Sequence, residues 1–187
     1  MAVQVRERTL DEIKKKLVEM NTDLNKITYI ESALKETGFS FEIKRFLWGE
    51  LAKHYVGRKM FEKAARAQAN KASMEITMRD KMESYILSAE YFAKVGKIDI
   101  CEDMFVRAGR DVTGEQNARV KLARRNIYFA CAKELEDTGK RASAVKFYEK
   151  LMKMELDGLE RAMIKDKLIK TYNALGLFRE AKMLDGS

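Results

Sequence analysis

His54 is the only histidine in this chain of 187 residues, and Cys101 and Cys131 are its only cysteines. With the carboxylates and a surplus of cations, these are the side chains from which any chemistry must be built. One histidine cannot form a His-rich metal cluster. The cysteines form no CxxC pair and read as two small buried apolar residues. No Gly-rich phosphate loop, no HExxH and no GxSxG elbow accompanies them. Glu102 and Asp103 are neighbours that point apart on a helix, and Asp99 stands where a first-turn acid meets the helix dipole. This inventory reads as a non-enzymatic protein that uses no cofactor and no metal.

The cations are the stronger signal. Lys and Arg total 37 against 29 Asp and Glu, a net charge of +8. Half of that surplus collects in one stretch, where Arg107, Arg110, Arg119, Lys121, Arg124 and Arg125 are set against Asp111 and Glu115. A guanidinium fork donates two hydrogen bonds to one phosphate, so the stretch is a candidate nucleic-acid face. No recognised nucleic-acid module surrounds it, and an ordinary solvated helix face explains it equally well.

Helices must position these groups. The chain has no proline and only ten glycines, and strong helix formers make up much of the rest. Gly38, Gly57, Gly96, Gly109, Gly139, Gly158 and Gly176 fall where the apolar periodicity breaks, as helix-ending glycines do, and Gly49 does not. Thr9 with Glu12, Thr77 with Asp80, Thr113 with Gln116 and Asp157 with Glu160 have the spacing of N-caps. The expected helices are 9–37, 40–57, 59–75, 77–95, 98–109, 113–138, 141–155, 157–175 and 177–185. No uncharged apolar run approaches the ~20 residues of a bilayer span, and the charged N-terminus lacks an apolar leader core. A cytoplasmic protein is expected.

The helices come in similar pairs. Ala64, Cys101, Ala144 and Ala181 open the second member of each, at intervals of 37, 43 and 37 residues. Nine or ten residues before each stands a bulky side chain (Tyr55, Tyr91, Leu135, Tyr172), itself preceded four residues earlier by Leu51, Leu87, Cys131 or Leu168. Trp48-x-x-Leu51-Ala52-x-x-Tyr55 followed by Phe61-Glu62-Lys63-Ala64, Ala132 with Gly139, Ala144 and Tyr148, and Tyr172 with Gly176, Phe178 and Ala181 together resemble the tetratricopeptide-repeat family. The resemblance covers roughly 44–187. The spacing exceeds that family's ~34 residues, and Gln68 replaces an aromatic. The resemblance implies an all-α, right-handed superhelical array of about four antiparallel hairpins over 39–187, with a concave groove lined by the first helix of each pair.

By the same resemblance, the residue two before each bulky position faces that groove: Lys53, Ala89, Lys133 and Lys170. Three lysines would suit an acidic or amphipathic peptide, with Tyr85 and Phe129 as apolar anchors, although aromatics at helical spacing are also common core residues. The implied function is a scaffold for another protein, with nucleic-acid binding through 107–125 as the alternative. Residues 1–38 read as one long N-terminal helix, because Leu10, Leu17 and Leu24 alternate with Ile13, Met20 and Ile27 as in heptads. That stripe either caps the array, leaving a monomer, or pairs with a second copy. The monomer is the expectation.

Overall fold

The computed structural model describes residues 4–186. Ten helices account for its regular structure, with no strand among the described residues. No helix among them is long and apolar enough to cross a membrane. The chain forms two compact units, 1–120 and 121–187. The first holds α1 (Leu10–Glu19), α2 (Asp23–Ala33), α3 (Phe41–Gly57), α4 (Phe61–Ala72), α5 (Met78–Lys94), α6 (Ile98–Ala108) and the start of α7 (Glu115–Asp137). The second holds the rest of α7 with α8 (Arg141–Met152), α9 (Gly158–Ala174) and α10 (Phe178–Asp185).

Hairpins α3–α4, α5–α6, α7–α8 and α9–α10 share one turn. At each, a residue with positive φ follows the first helix: Lys59 (58°), Gly96 (73°), Gly139 (75°) or Gly176 (75°). The next N–H reaches back to close the helix: Met60 to the Tyr55 carbonyl at 2.8 Å, Lys97 to Phe92 at 3.0 Å, Lys140 to Leu135 at 2.8 Å and Leu177 to Tyr172 at 2.9 Å. This is the Schellman closure, in which a left-handed residue lets the chain satisfy carbonyls that the helix end leaves open. Four residues on, Ala64, Cys101 and Ala144 are fully buried and Ala181 is 4% exposed, small enough to let the second helix lie against the first.

The unequal intervals have a single source. The helices α3, α5 and α9 are each 17 residues long, whereas α7 has 23. Those six extra residues turn an interval of 37 into 43. Gly114, with φ 56°, stands just before α7 and its carbonyl accepts the Ala118 N–H at 3.2 Å, so the start lies one residue beyond the expected Thr113.

The single long N-terminal helix is not what forms. The helix α1 ends at Glu19, Met20 is extended, and Thr22 starts α2 by accepting the Asn25 N–H at 3.2 Å. A capping threonine offers the backbone an alternative bond at the place where the heptad reading needs continuous helix. Leu24 is accordingly 58% exposed. Thr9 does form the expected capping box with Glu12. Ile13 and Leu17 from α1, with Ile27 and Ile30 from α2, join Ile43, Leu47, Leu51 and Ala64 in one core that Val5 also enters. Each isoleucine, leucine or valine among them contributes roughly 1.5–3 kcal/mol by leaving water.

Gly49 faces the stem of Lys71, whose Cδ and Cε lie 3.4 Å from where a Cβ would stand. That close approach lets the Lys71 ammonium reach Glu75 and the Ser84 hydroxyl, the latter at 3.1 Å.

Candidate functional site

A trough of about 580 Å³ runs over α3 between α2 and α4. Its floor is apolar, with Trp48, Leu51 and Tyr55 from α3 and Ala67 from α4. Leu51 and Tyr55 are buried, whereas Trp48, the only tryptophan, is half-buried and reaches the lumen. The i, i+3, i+7 spacing of the three α3 residues aims them along one face. Lys63, Arg66 and Asn70 form the α4 wall with the same periodicity, and Glu31 near the end of α2 and Lys35 in the turn just beyond it stand on the opposite wall.

Three exposed cations therefore frame an apolar floor, with Glu31 as the single carboxylate of the lining. Glu31 accepts a hydrogen bond from the Tyr55 hydroxyl. Burial and that bond together raise the Tyr55 phenol well above its ordinary pKa, so it remains a donor across the physiological range. Lys63 lies 5.6 Å from the centre of the same ring, in cation–π range. Arg66 contacts Glu62 at 3.0 Å, but Glu62 also receives Lys97 at 2.7 Å. One carboxylate shared by two cations leaves the wall positive, and those hydrogen bonds hold Glu62 below the usual carboxylate range.

None of the residues expected to line a groove lines this trough. Lys53 is exposed, pairs with Glu50 on its own helix and does not line the trough. Lys133 on α7 is exposed, as is Lys170 on α9, which pairs with Asp166 at 2.6 Å. Lys53 belongs to the first unit and the other two to the second. Ala89 is fully buried and Tyr85 is 6% exposed, so both belong to the core, and Phe129 is half-buried. Burial takes Tyr85 out of the set of surface anchors.

In the 107–125 stretch, four cations already hold carboxylates: Arg107 with Asp103 at 3.0 Å, Arg119 with Glu83 at 2.7 Å, Lys121 with Glu155 at 3.0 Å and Arg125 with Glu160 at 2.7 Å. Arg124 lies over the Tyr128 ring at 5.8 Å, and Arg110 is exposed. The stretch is thus largely engaged within the protein. The His54 ring nitrogen Nδ1 lies 3.0 Å from the Asp23 carboxylate, which accepts its hydrogen, joining the last turn of α3 to the first turn of α2.

Trp48, Lys63, Arg66 and Lys35 were missed as site residues by sequence reasoning. Trp48 was visible only as part of the repeat motif. The i, i+3, i+7 series Lys63, Arg66, Asn70, polar on a helix whose other faces are alanine-rich, was the signal that could have found the wall. Compared with family models, curated proteins and solved structures, the chain has no match.

Proposed function

We propose that this protein is a non-enzymatic interaction scaffold that takes an acidic, amphipathic segment of another protein into the trough over α3. The supporting observation is the pairing of an apolar floor containing Trp48 with exposed Lys35, Lys63 and Arg66 on both walls. Aromatic and arginine side chains at a concave centre are the usual carriers of binding energy, and a positive rim selects acidic partners and speeds their encounter. The right-handed tetratricopeptide-like superhelix belongs to the same reading, supported by four hairpins with one shared turn. The reading takes the protein as a cytoplasmic monomer. Nucleic acid along 107–125 is the weaker alternative, because phosphates would have to displace carboxylates already in contact with four of the cations.

The test compares wild type with Lys63→Glu/Arg66→Glu in co-precipitation from source lysate treated with nuclease, at low and moderate salt. Each exposed pair contributes about 0.2–1 kcal/mol, and reversal adds repulsion, so a loss of ~10-fold in partner retention is expected. Helical circular dichroism should not change. Partners retained equally by the variant, or lost from wild type on nuclease treatment, would refute the reading.

A further inference from the structure

We infer that the segment received by the trough is an α-helix of about two turns that carries acidic side chains on both flanks of its apolar stripe. The inference rests on the proposed reading of the trough as a site for acidic segments. It adds the ligand's conformation and charge pattern.

The first argument is hydrogen bonding. The floor and the α4 wall are helix faces, whose main-chain groups are bonded within α3 and α4, and the third side is the last turn of α2 with the turn residues Leu34 and Lys35 that follow it. An extended ligand would find no strand edge to join and would lay its own N–H and C=O groups over Trp48, Leu51 and Tyr55 without partners. Each unpaired group is costly in an apolar setting. A helix bonds its own backbone and offers only side chains to the floor.

The second argument is dimension. Trp48 to Tyr55 and Lys63 to Asn70 each span seven residues, about 10 Å along their helices, which is close to two turns of a ligand helix lying alongside. The third is charge placement. Lys35 stands in the turn just after α2, and Lys63 and Arg66 on the α4 wall, so cations flank the floor on both sides. A helix presents residues to the left and right of its apolar stripe at once, whereas a strand alternates between floor and solvent and reaches neither wall regularly. Acids on both shoulders of an apolar stripe match this arrangement.

The experiment selects displayed random peptides of about fourteen residues, roughly four helical turns, on the full chain. Retained peptides are those that shift Trp48 emission and bind at least ~10-fold more weakly to Lys63→Glu/Arg66→Glu. The expected winners have apolar residues at i, i+3 or i+4 and i+7, with Asp or Glu on both sides. They should gain helical dichroism when bound, lose at least ~10-fold in affinity when a central residue becomes proline, and tighten when stapled on the solvent face. Trough-directed peptides that tolerate the proline and stay non-helical would overturn the helix inference while leaving the trough reading in place. If no selected peptide is sensitive to the wall reversal, the trough reading itself fails, and this inference with it.

Discussion

Lys59 and Gly96 occupy the same place in two turns of the same backbone geometry, and exchanging their chemistry should change stability in opposite directions. The φ angles are 58° and 73°, and the residue after each closes its helix end with a bond of 2.8 or 3.0 Å. A side chain with a Cβ costs roughly 1–2 kcal/mol in the left-handed region. Nothing lies within 4 Å of a Cβ built on Gly96, so Gly96→Ala carries that conformational cost and no collision. Alanine also restricts the unfolded chain, which returns about 0.4–1 kcal/mol. The net loss is ~0.5–1 kcal/mol. Lys59 is exposed, so Lys59→Gly runs the same difference backwards and should gain a similar amount. Both positions lie in the first unit with Trp48, so thermal unfolding followed by tryptophan emission reads both. The melting temperatures should move apart by a few degrees, at about 2–4 °C per kcal/mol for a chain of this size. A Gly96→Ala protein more stable than wild type, or a Lys59→Gly protein clearly less stable, would refute the account of the shared turn.

Two further expectations follow from buried groups. Glu136 is half-buried among the Tyr148 hydroxyl at 2.6 Å, the Lys167 ammonium at 3.2 Å and the Thr171 hydroxyl at 3.2 Å. Burial pushes its carboxyl pKa up, but these partners together pull it down further, to a value below the ordinary 4.5. A depressed carboxylate contributes stability that is fully present above 4.5 and disappears as pH falls through the native value, so Glu136→Gln should cost ~1–2 kcal/mol at neutral pH, and the gap should close in acid. Denaturant titrations across that range check it, and a gap that widens in acid would reverse the sign. Leu17, 7% exposed within the core, should tolerate glutamate poorly, with a loss of at least ~2 kcal/mol and no change in molar mass by light scattering. A drop from dimer to monomer in Leu17→Glu would instead favour the paired-helix reading of the N-terminus.

The helix pairs and their glycine punctuation were legible because a helix announces itself through short-range spacing. Gly96, Gly139 and Gly176 marked turns that the backbone does make. Lys59 was not readable as a left-handed residue, since lysine carries no preference for that region. The break at Met20–Thr22 was hidden by a heptad that runs through it. The cap Thr22 with Asn25 is a weaker signature than Thr9 with Glu12, because Thr22 meets only the Asn25 backbone N–H, whereas the Glu12 side chain bonds back to the Thr9 backbone. The trough was beyond reach for a different reason. It exists only where α2 packs beside α3, so Lys35 and Lys63 share a site although far apart in sequence. The lysines expected at groove positions were assigned by resemblance, and Lys53 instead pairs along its own helix with Glu50.

Four phenols in this protein end on carboxylates from other helices or from the segment before α1: Tyr29 on Glu7, Tyr55 on Glu31, Tyr148 on Glu136 and Tyr172 on Glu149. In each, burial and the neighbouring negative charge raise the phenol's pKa. Tyrosinate absorbs at longer ultraviolet wavelengths than the neutral phenol, so these side chains stay silent in that band in alkali for as long as the helices hold them. Their ionisation becomes visible when the carboxylate is pulled away. An alkaline spectrophotometric titration of the native chain should therefore lag behind that of its denatured form, and the delayed absorbance step should coincide with the loss of helical dichroism. The tyrosines serve as built-in optical reporters of intact packing, two in each unit.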